Sequence, residues 1–176
     1  MDAYDKAAQE SPKSVLAEFA YSQEEIDLCK KYGSNADVVH TDLHECLGHG
    51  SGQLLPGVDP DALKAYGSTI EEARADLFGL YYLPDAKMRE LGLTPHDDAY
   101  KAEYYKYMMN GLMTQLTRVE LGNDVEEAHM RNRALIARWA YENGKGKAEG
   151  GKDVIEMVKR DDKTYIKIND YQQLRS

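Results

Sequence analysis

Residues 44–76 gather the groups that a hydrolytic metal site requires. His44-Glu45-Cys46-Leu47-Gly48-His49 offers two imidazoles with a carboxylate beside the first, and Ile70-Glu71-Glu72-Ala73-Arg74-Ala75-Asp76 adds an acidic cluster. A catalytic zinc ion takes three nitrogen or oxygen ligands, leaves a fourth position for water, and needs a base to act on that water. Histidines at i and i+4 of a helix are separated by about 400° and point the same way. His44 and His49 stand at i and i+5, which on a regular α-helix leaves them roughly 140° apart. They can share a metal only if the helix absorbs the extra residue, as a π-turn does. Gly48 sits where such a distortion is most easily tolerated. The last turn of this helix is therefore predicted not to be α.

Two histidines leave the site one ligand short. Glu71 and Glu72 lie on a second predicted helix, and either can complete it. Glu72 and Asp76 are at i, i+4 and share a face. Asp76 can then accept a ring N–H from a ligating histidine, and Glu45 can orient the water and take its proton. A lone His-Glu pair on a helix is ordinarily surface. The six-residue motif followed by a Glu-Glu cluster is much less frequent by chance. His40 and His44 are also at i, i+4, but His40 has no neighbouring glutamate and reads as a capping or packing residue. Cys46 reads as buried and inert.

The elements that must hold these groups read mainly as helices. Ser11-Pro12 opens a run through Val15, Leu16, Phe19 and Ala20, and Ser22 with Glu25 forms a capping box for a short helix that Gly33 stops. A new helix from Asn35 or Ala36 carries His44, and Gly48, Gly50 and Gly52 end it. After a loop to about Gly67, Ser68 and Glu71 cap the acidic helix, with Ile70, Ala73, Leu77 and Leu80 as its apolar stripe and Pro84 as its stop. A short helix follows from about Asp85 to Leu91. Thr94-Pro95 starts a long helix to about Leu121, whose tyrosines at 100–107 read as packing and surface. Asn123 caps the next helix, where Val125, His129, Ile136 and Ala140 share a side. On that pattern alone His129 is a packed core histidine. Residues 154–158 and 164–168 read as a β-hairpin, and Asn169 as the cap of a final helix. The fold class expected is mainly α with a small β-hairpin near the C-terminus.

Composition narrows the possibilities. The chain has 176 residues, enough for a single domain over 1–176, with the apolar and charged fractions of an ordinary soluble protein. Its net charge of -9 argues against a nucleic-acid or membrane partner. Two cysteines, one inside the metal motif, suit a reducing compartment. The N-terminal residues have no signal-peptide pattern, and no run is long enough to span a membrane.

Taken together, His44–His49 and Glu71–Asp76 resemble the paired signature of the dipeptidyl peptidase III family, whose zinc histidines are separated by one extra residue. Gly48-His49-Gly50-Ser51-Gly52, Gly79-Leu80-Tyr81 and Ala128-His129-Met130 extend the likeness, which covers about residues 40 to 145. The resemblance implies a zinc exopeptidase that releases dipeptides from the N-termini of short peptides, mostly in the cytosol. It implies His44, His49 and Glu72 as Zn2+ ligands, Glu45 as the catalytic glutamate, and Glu71 and Asp76 as supports of the ligands. His129 matches a histidine that contacts substrate and transition state, and Arg133 a conserved arginine with a substrate-binding role. Asp76 stands where many relatives have glutamate, one methylene longer. Family members are two-lobed and several times this length, so the chain reads as part of the zinc-bearing lobe, with the missing lobe as a partner and self-association of the piece as a further expectation. Three functional readings follow: the peptidase, a zinc-binding piece too incomplete for catalysis, and a zinc hydrolase for a non-peptide amide.

Overall fold

Ser22 and Glu25 do begin a helix: the Glu25 carboxylate accepts from the Ser22 N–H at 2.9 Å. The computed structural model describes residues 15–114 and 128–176, and the first element in it is the short helix α1 (Val15–Phe19). Next comes α2 (Gln23–Leu43), which passes through Gly33 unbroken where two helices were expected. A glycine in a helix interior costs about 1 kcal/mol relative to alanine. Packing outweighs that here, because Cys29, Tyr32, Ala36 and Val39 are all buried. The helix ends in a π-turn, His44–Gly48, and a 3-10 turn, His49–Ser51. The predicted departure from α geometry is present at the predicted place.

An exposed stretch leads to a 3-10 turn, Lys64–Tyr66, that runs directly into α3 (Gly67–Tyr82). Ser68 is therefore already inside the first turn and caps nothing. The buried stripe of α3 is Thr69, Ala73, Asp76 and Leu80, at helical spacing. Ile70 and Leu77, expected in it, are exposed. The helix is rotated so that a carboxylate, rather than a leucine, faces inward. A short α4 (Ala86–Glu90) follows, with the Asp85 side chain accepting from the Lys87 N–H at 2.9 Å. Thr94-Pro95 does not open a helix. Thr94 is buried with its N–H on the Met88 carbonyl, and Pro95 accepts from Arg89, so this segment turns back on α4.

Helix α5 begins at Ala99 and runs to Met109, passing into a second π-turn, Asn110–Thr114. The expected continuation to Leu121, the Asn123 cap and Val125 lie outside the described residues. Helix α6 (Ala128–Asn143) carries His129, Asn132 and Arg133. Strands β1 (Ile155–Arg160) and β2 (Lys163–Ile168) form the expected antiparallel hairpin, in register from Ile155–Ile168 to Arg160–Lys163. Asp161 and Asp162 close it with φ of 48° and 61°, as a two-residue type I′ turn requires. The last helix, α7 (Tyr171–Arg175), is capped by Asp170. Asn169, the expected cap, instead donates to the Asp153 carbonyl at 2.9 Å.

Helix α5 is the centre of the core. Tyr104, Tyr105 and Tyr107 are all buried, and each hydroxyl has a partner, as buried tyrosines require. Tyr104 donates to the Leu80 carbonyl at 2.7 Å and Tyr105 to the Ile166 carbonyl at 2.6 Å. The first bond ties α5 to α3 and the second ties it to the hairpin. Among the described residues no helix is long and apolar enough to cross a membrane.

Candidate metal centre

The π-turn places both histidines of the motif over α3. Gly48 makes the approach possible: a Cβ there would lie 2.7 Å from both Cα and Cβ of Ala75. With the turn pressed against α3, His44 Nε2 lies 3.3 Å from Glu72 Oε2, and His49 Nε2 lies 3.7 Å from Glu72 Oε1. One donor atom from each of the three residues falls within 4.8 Å of the others. Zinc–nitrogen and zinc–oxygen bonds of about 2.0–2.2 Å in a tetrahedral site put neighbouring ligand atoms roughly 3.3–3.6 Å apart. The 3.3 and 3.7 Å distances to the two Glu72 oxygens are close to that requirement. Glu72 Oε2 is buried and makes no hydrogen bond, although His44 Nε2 and His129 Nε2 lie 3.3 and 3.2 Å from it; a cation would satisfy a carboxylate oxygen so placed. The donor set of two imidazoles and one carboxylate suits zinc.

Each imidazole is held from behind through its other nitrogen, which leaves Nε2 turned toward Glu72. Asp76 Oδ1 meets His44 Nδ1 at 2.7 Å in a buried setting, and Glu71 Oε1 meets His49 Nδ1 at 3.0 Å. Of the two adjacent glutamates, Glu72 therefore faces the imidazole pair and Glu71 backs one of its members. Aspartate at position 76 reaches His44 despite its shorter side chain.

Arg74, which the sequence did not single out, ties this half of the site together. Its guanidinium donates to Glu71 through Nε at 2.9 Å and Nη2 at 2.6 Å, and Nη2 also reaches the Gly48 carbonyl at 2.8 Å. One side chain thus anchors both the glutamate behind His49 and the end of the π-turn. The available signal was the i, i+3 spacing of Glu71 and Arg74. Arg74 holds the Glu71 carboxyl down to about 2, and the Glu71 hydrogen bond raises His49 above its ordinary value.

The other half has a support that spacing did not reveal, because its members come from three helices. The Tyr107 hydroxyl donates to Asp76 Oδ2 at 2.7 Å and lies 3.2 Å from Asn132 Oδ1. His40 Nε2 approaches Asp76 Oδ1 at 3.7 Å, and its Nδ1 meets Glu103 Oε1 at 3.2 Å. Burial acts to lower the His40 pKa, but the Glu103 hydrogen bond and charge outweigh it and the imidazole is raised. His40 is thus buried, as a packing residue would be, but it packs with polar partners.

The remaining candidates are distributed around this centre. Glu45 is exposed, and among the described residues its carboxylate makes no hydrogen bond. His129 is not a core residue: its side chain is 55% exposed and its Nε2 lies 3.2 Å from Glu72 Oε2. Arg133 makes no ion pair among the described residues, and its Nε is buried without a partner. Cys46 is exposed, contrary to expectation, because the π-turn buries His44 and Gly48 and leaves the residues between them facing outward. A cavity of about 440 Å³ is lined by Arg74, Leu77, Tyr81 and Trp139, among others, and by none of the donors of the centre. No protein-family model matches the chain.

Proposed function

We propose that this chain carries the catalytic centre of a zinc peptidase of the dipeptidyl peptidase III type, acting on short peptides in the cytosol. The observation that carries this reading is the convergence of His44 Nε2 and His49 Nε2 on Glu72 across a π-turn. The usual zinc-peptidase helix needs no such turn, and the extra residue is the mark of the family that the motif pair resembles. Zinc held by His44, His49 and Glu72 would supply a Lewis acid that polarises the scissile carbonyl and lowers the pKa of water.

The protein groups then have separate tasks. Asp76 and Glu71 keep the two imidazoles in the tautomer that turns Nε2 toward the metal. Glu45, next to His44 and open to solvent, takes the proton of the attacking water and passes it to the leaving amine. His129 reaches Glu72 from α6, close enough to the centre to donate to the developing oxyanion. Arg133, one turn further on, is assigned to substrate binding on the family resemblance alone.

Glu45→Ala tests this reading. The variant should bind zinc as the unaltered protein does and lose hydrolysis of a dipeptidyl chromogenic substrate. Full activity in that variant would sink the assignment. A second reading, a zinc-binding module that does little chemistry without the remaining lobe, is favoured by one observation: nothing among the described residues orients Glu45. In that case the unaltered chain binds zinc yet does not turn over the substrate, while the full two-lobed enzyme does.

A further inference from the structure

His40 stands one helical turn before His44, and both rings converge on a single oxygen. Asp76 Oδ1 lies 2.7 Å from His44 Nδ1; His40 Nε2 lies 3.7 Å from the same oxygen, beyond hydrogen-bond distance, and is buried without a hydrogen-bond partner. The two rings are nearly perpendicular, with centroids 6.5 Å apart, and His40 also meets the edge of Tyr107. Asp76 is therefore enclosed by His40 from α2, His44 from the π-turn that follows it, and Tyr107 from α5. Its freedom to rotate away from His44 depends on what occupies the His40 position.

Two further features fix His40. Glu103 of α5, itself only 5% exposed, takes the far nitrogen of the ring at 3.2 Å. Lys106, which pairs with Asp37 at 3.0 Å, stands 3.5 Å behind the other oxygen of Glu103. On α3, Gly79 lies one turn after Asp76 and opens a slot for the ring: a Cβ there would clash with His40 Cδ2 and lie 2.8 Å from Nε2. A residue needed only to fill this space would be apolar, since burying a histidine and a glutamate carries a desolvation penalty that hydrocarbon avoids. Here the polar pair is present, the neighbouring helix is shaped around it, and it ends on the carboxylate that supports a metal ligand.

We propose that His40, clamped by Glu103 and seated against Gly79, is a positioning residue of the metal centre, holding Asp76 against His44 and so fixing the rotation of the His44 ring. This inference rests on the zinc reading above. It assigns His40 no contact with metal or substrate. Its effect passes through Asp76, as outer partners of metal ligands act generally.

The test measures zinc affinity by chelator competition, the visible spectrum of the cobalt(II)-loaded protein, and the melting temperature of the metal-free protein. His40→Phe keeps a planar aromatic ring, somewhat larger than imidazole, and removes both nitrogens. It is expected to weaken zinc binding roughly 10-fold and to alter the cobalt spectrum at saturating metal. Gly79→Ala should act in the same direction without removing a polar group, and Glu103→Gln should give a smaller loss. A lowered melting temperature with unchanged zinc affinity and cobalt spectrum would reduce His40 to packing and overturn the proposal. Should His40→Phe fail to fold, Glu103→Gln decides in the same way: shifted affinity and spectrum support the proposal, and unchanged values overturn it. An unaltered protein that takes up no zinc would instead overturn the metal reading itself.

Discussion

Two π-turns occur among the described residues, and in each a glycine is pressed against another helix. Gly48 of the first lies on Ala75 of α3, within a turn of Glu72 and Asp76. Gly111 of the second lies on α6, where a Cβ would clash with Ala137 and with the Arg133 carbonyl. The first turn brings ligand atoms together, and the second brings in the helix that carries His129 and Asn132. Yet only the first was foreseeable. It carries two histidines whose spacing makes no chemical sense on a straight helix, so the chemistry demands the distortion. The second has no such constraint. Gly111 fits a regular helical repeat with Tyr104, Tyr107 and Met108, and the close approach of α6 to it is a tertiary fact that no local spacing reveals.

The sharpest way to break this comparison is to fill the two glycines. Gly48→Ala should destabilise the protein by about 1–3 kcal/mol, the usual range for overpacking, and abolish tight zinc binding, because His49 can no longer be held over Glu72. Gly111→Ala should lose comparable stability and retain zinc, since His44 and His49 lie in the two turns that end α2 and Glu72 lies on α3. Thermal melts with parallel zinc titrations separate the two. Retention of zinc by the first variant with loss in the second would reverse the roles assigned here.

A smaller effect is expected from Arg74→Ala, which releases Glu71 and the Gly48 carbonyl together. Zinc affinity should fall roughly 10-fold, measured by chelator competition, with the fold retained. An unchanged affinity would mean that the π-turn does not depend on its clasp. The same pair predicts a modest acid response of the metal-free protein. The Glu71 carboxyl is held below its ordinary value of 4.5, at about 2, so its contribution to stability is complete above the ordinary value and is lost as pH falls toward 2. The groups are well exposed, so solvent screening keeps the contribution small. Comparing acid melts of the unaltered protein and Arg74→Ala should show a slightly smaller loss across this window in the variant.

The thiols give the smallest perturbation and probe the first turn directly. Cys46 is exposed on the π-turn, while Cys29 is buried on α2 and burial pushes its thiol up to about 12. A thiol reagent should modify one cysteine in the native protein and the second only on unfolding. Two fast thiols, or none, would contradict the geometry of the turn.

What the sequence made legible follows the same division. The helical class, the hairpin, the distorted end of α2 and the grouping of His44, His49 and Glu72 all rest on short spacings between residues of strong chemical type, whereas the two-residue turn at Asp161 and Asp162 was not read from them. The errors fall where packing overrode a local signal. Gly33 is a weak stop that the contacts of α2 with α5 overrule. Thr94-Pro95 looks like a helix start, but the buried Thr94 and the Arg89 contact to Pro95 turn the chain back. Ile70 and Leu77 lost their place in the stripe of α3 to Asp76, whose partners His44 and Tyr107 lie 32 and 31 residues away in sequence. The Glu103–His40–Asp76 chain was invisible for the same reason, since no window along the chain contains it.

The central claim is that His44, His49 and Glu72 form one zinc site across the π-turn. Elemental analysis of protein loaded with zinc and then freed of excess metal tests it most directly, with His49→Ala measured beside it. One equivalent of zinc in the unaltered protein and none in the variant is the result predicted. No zinc in the folded protein, or a full equivalent in His49→Ala, would contradict the account.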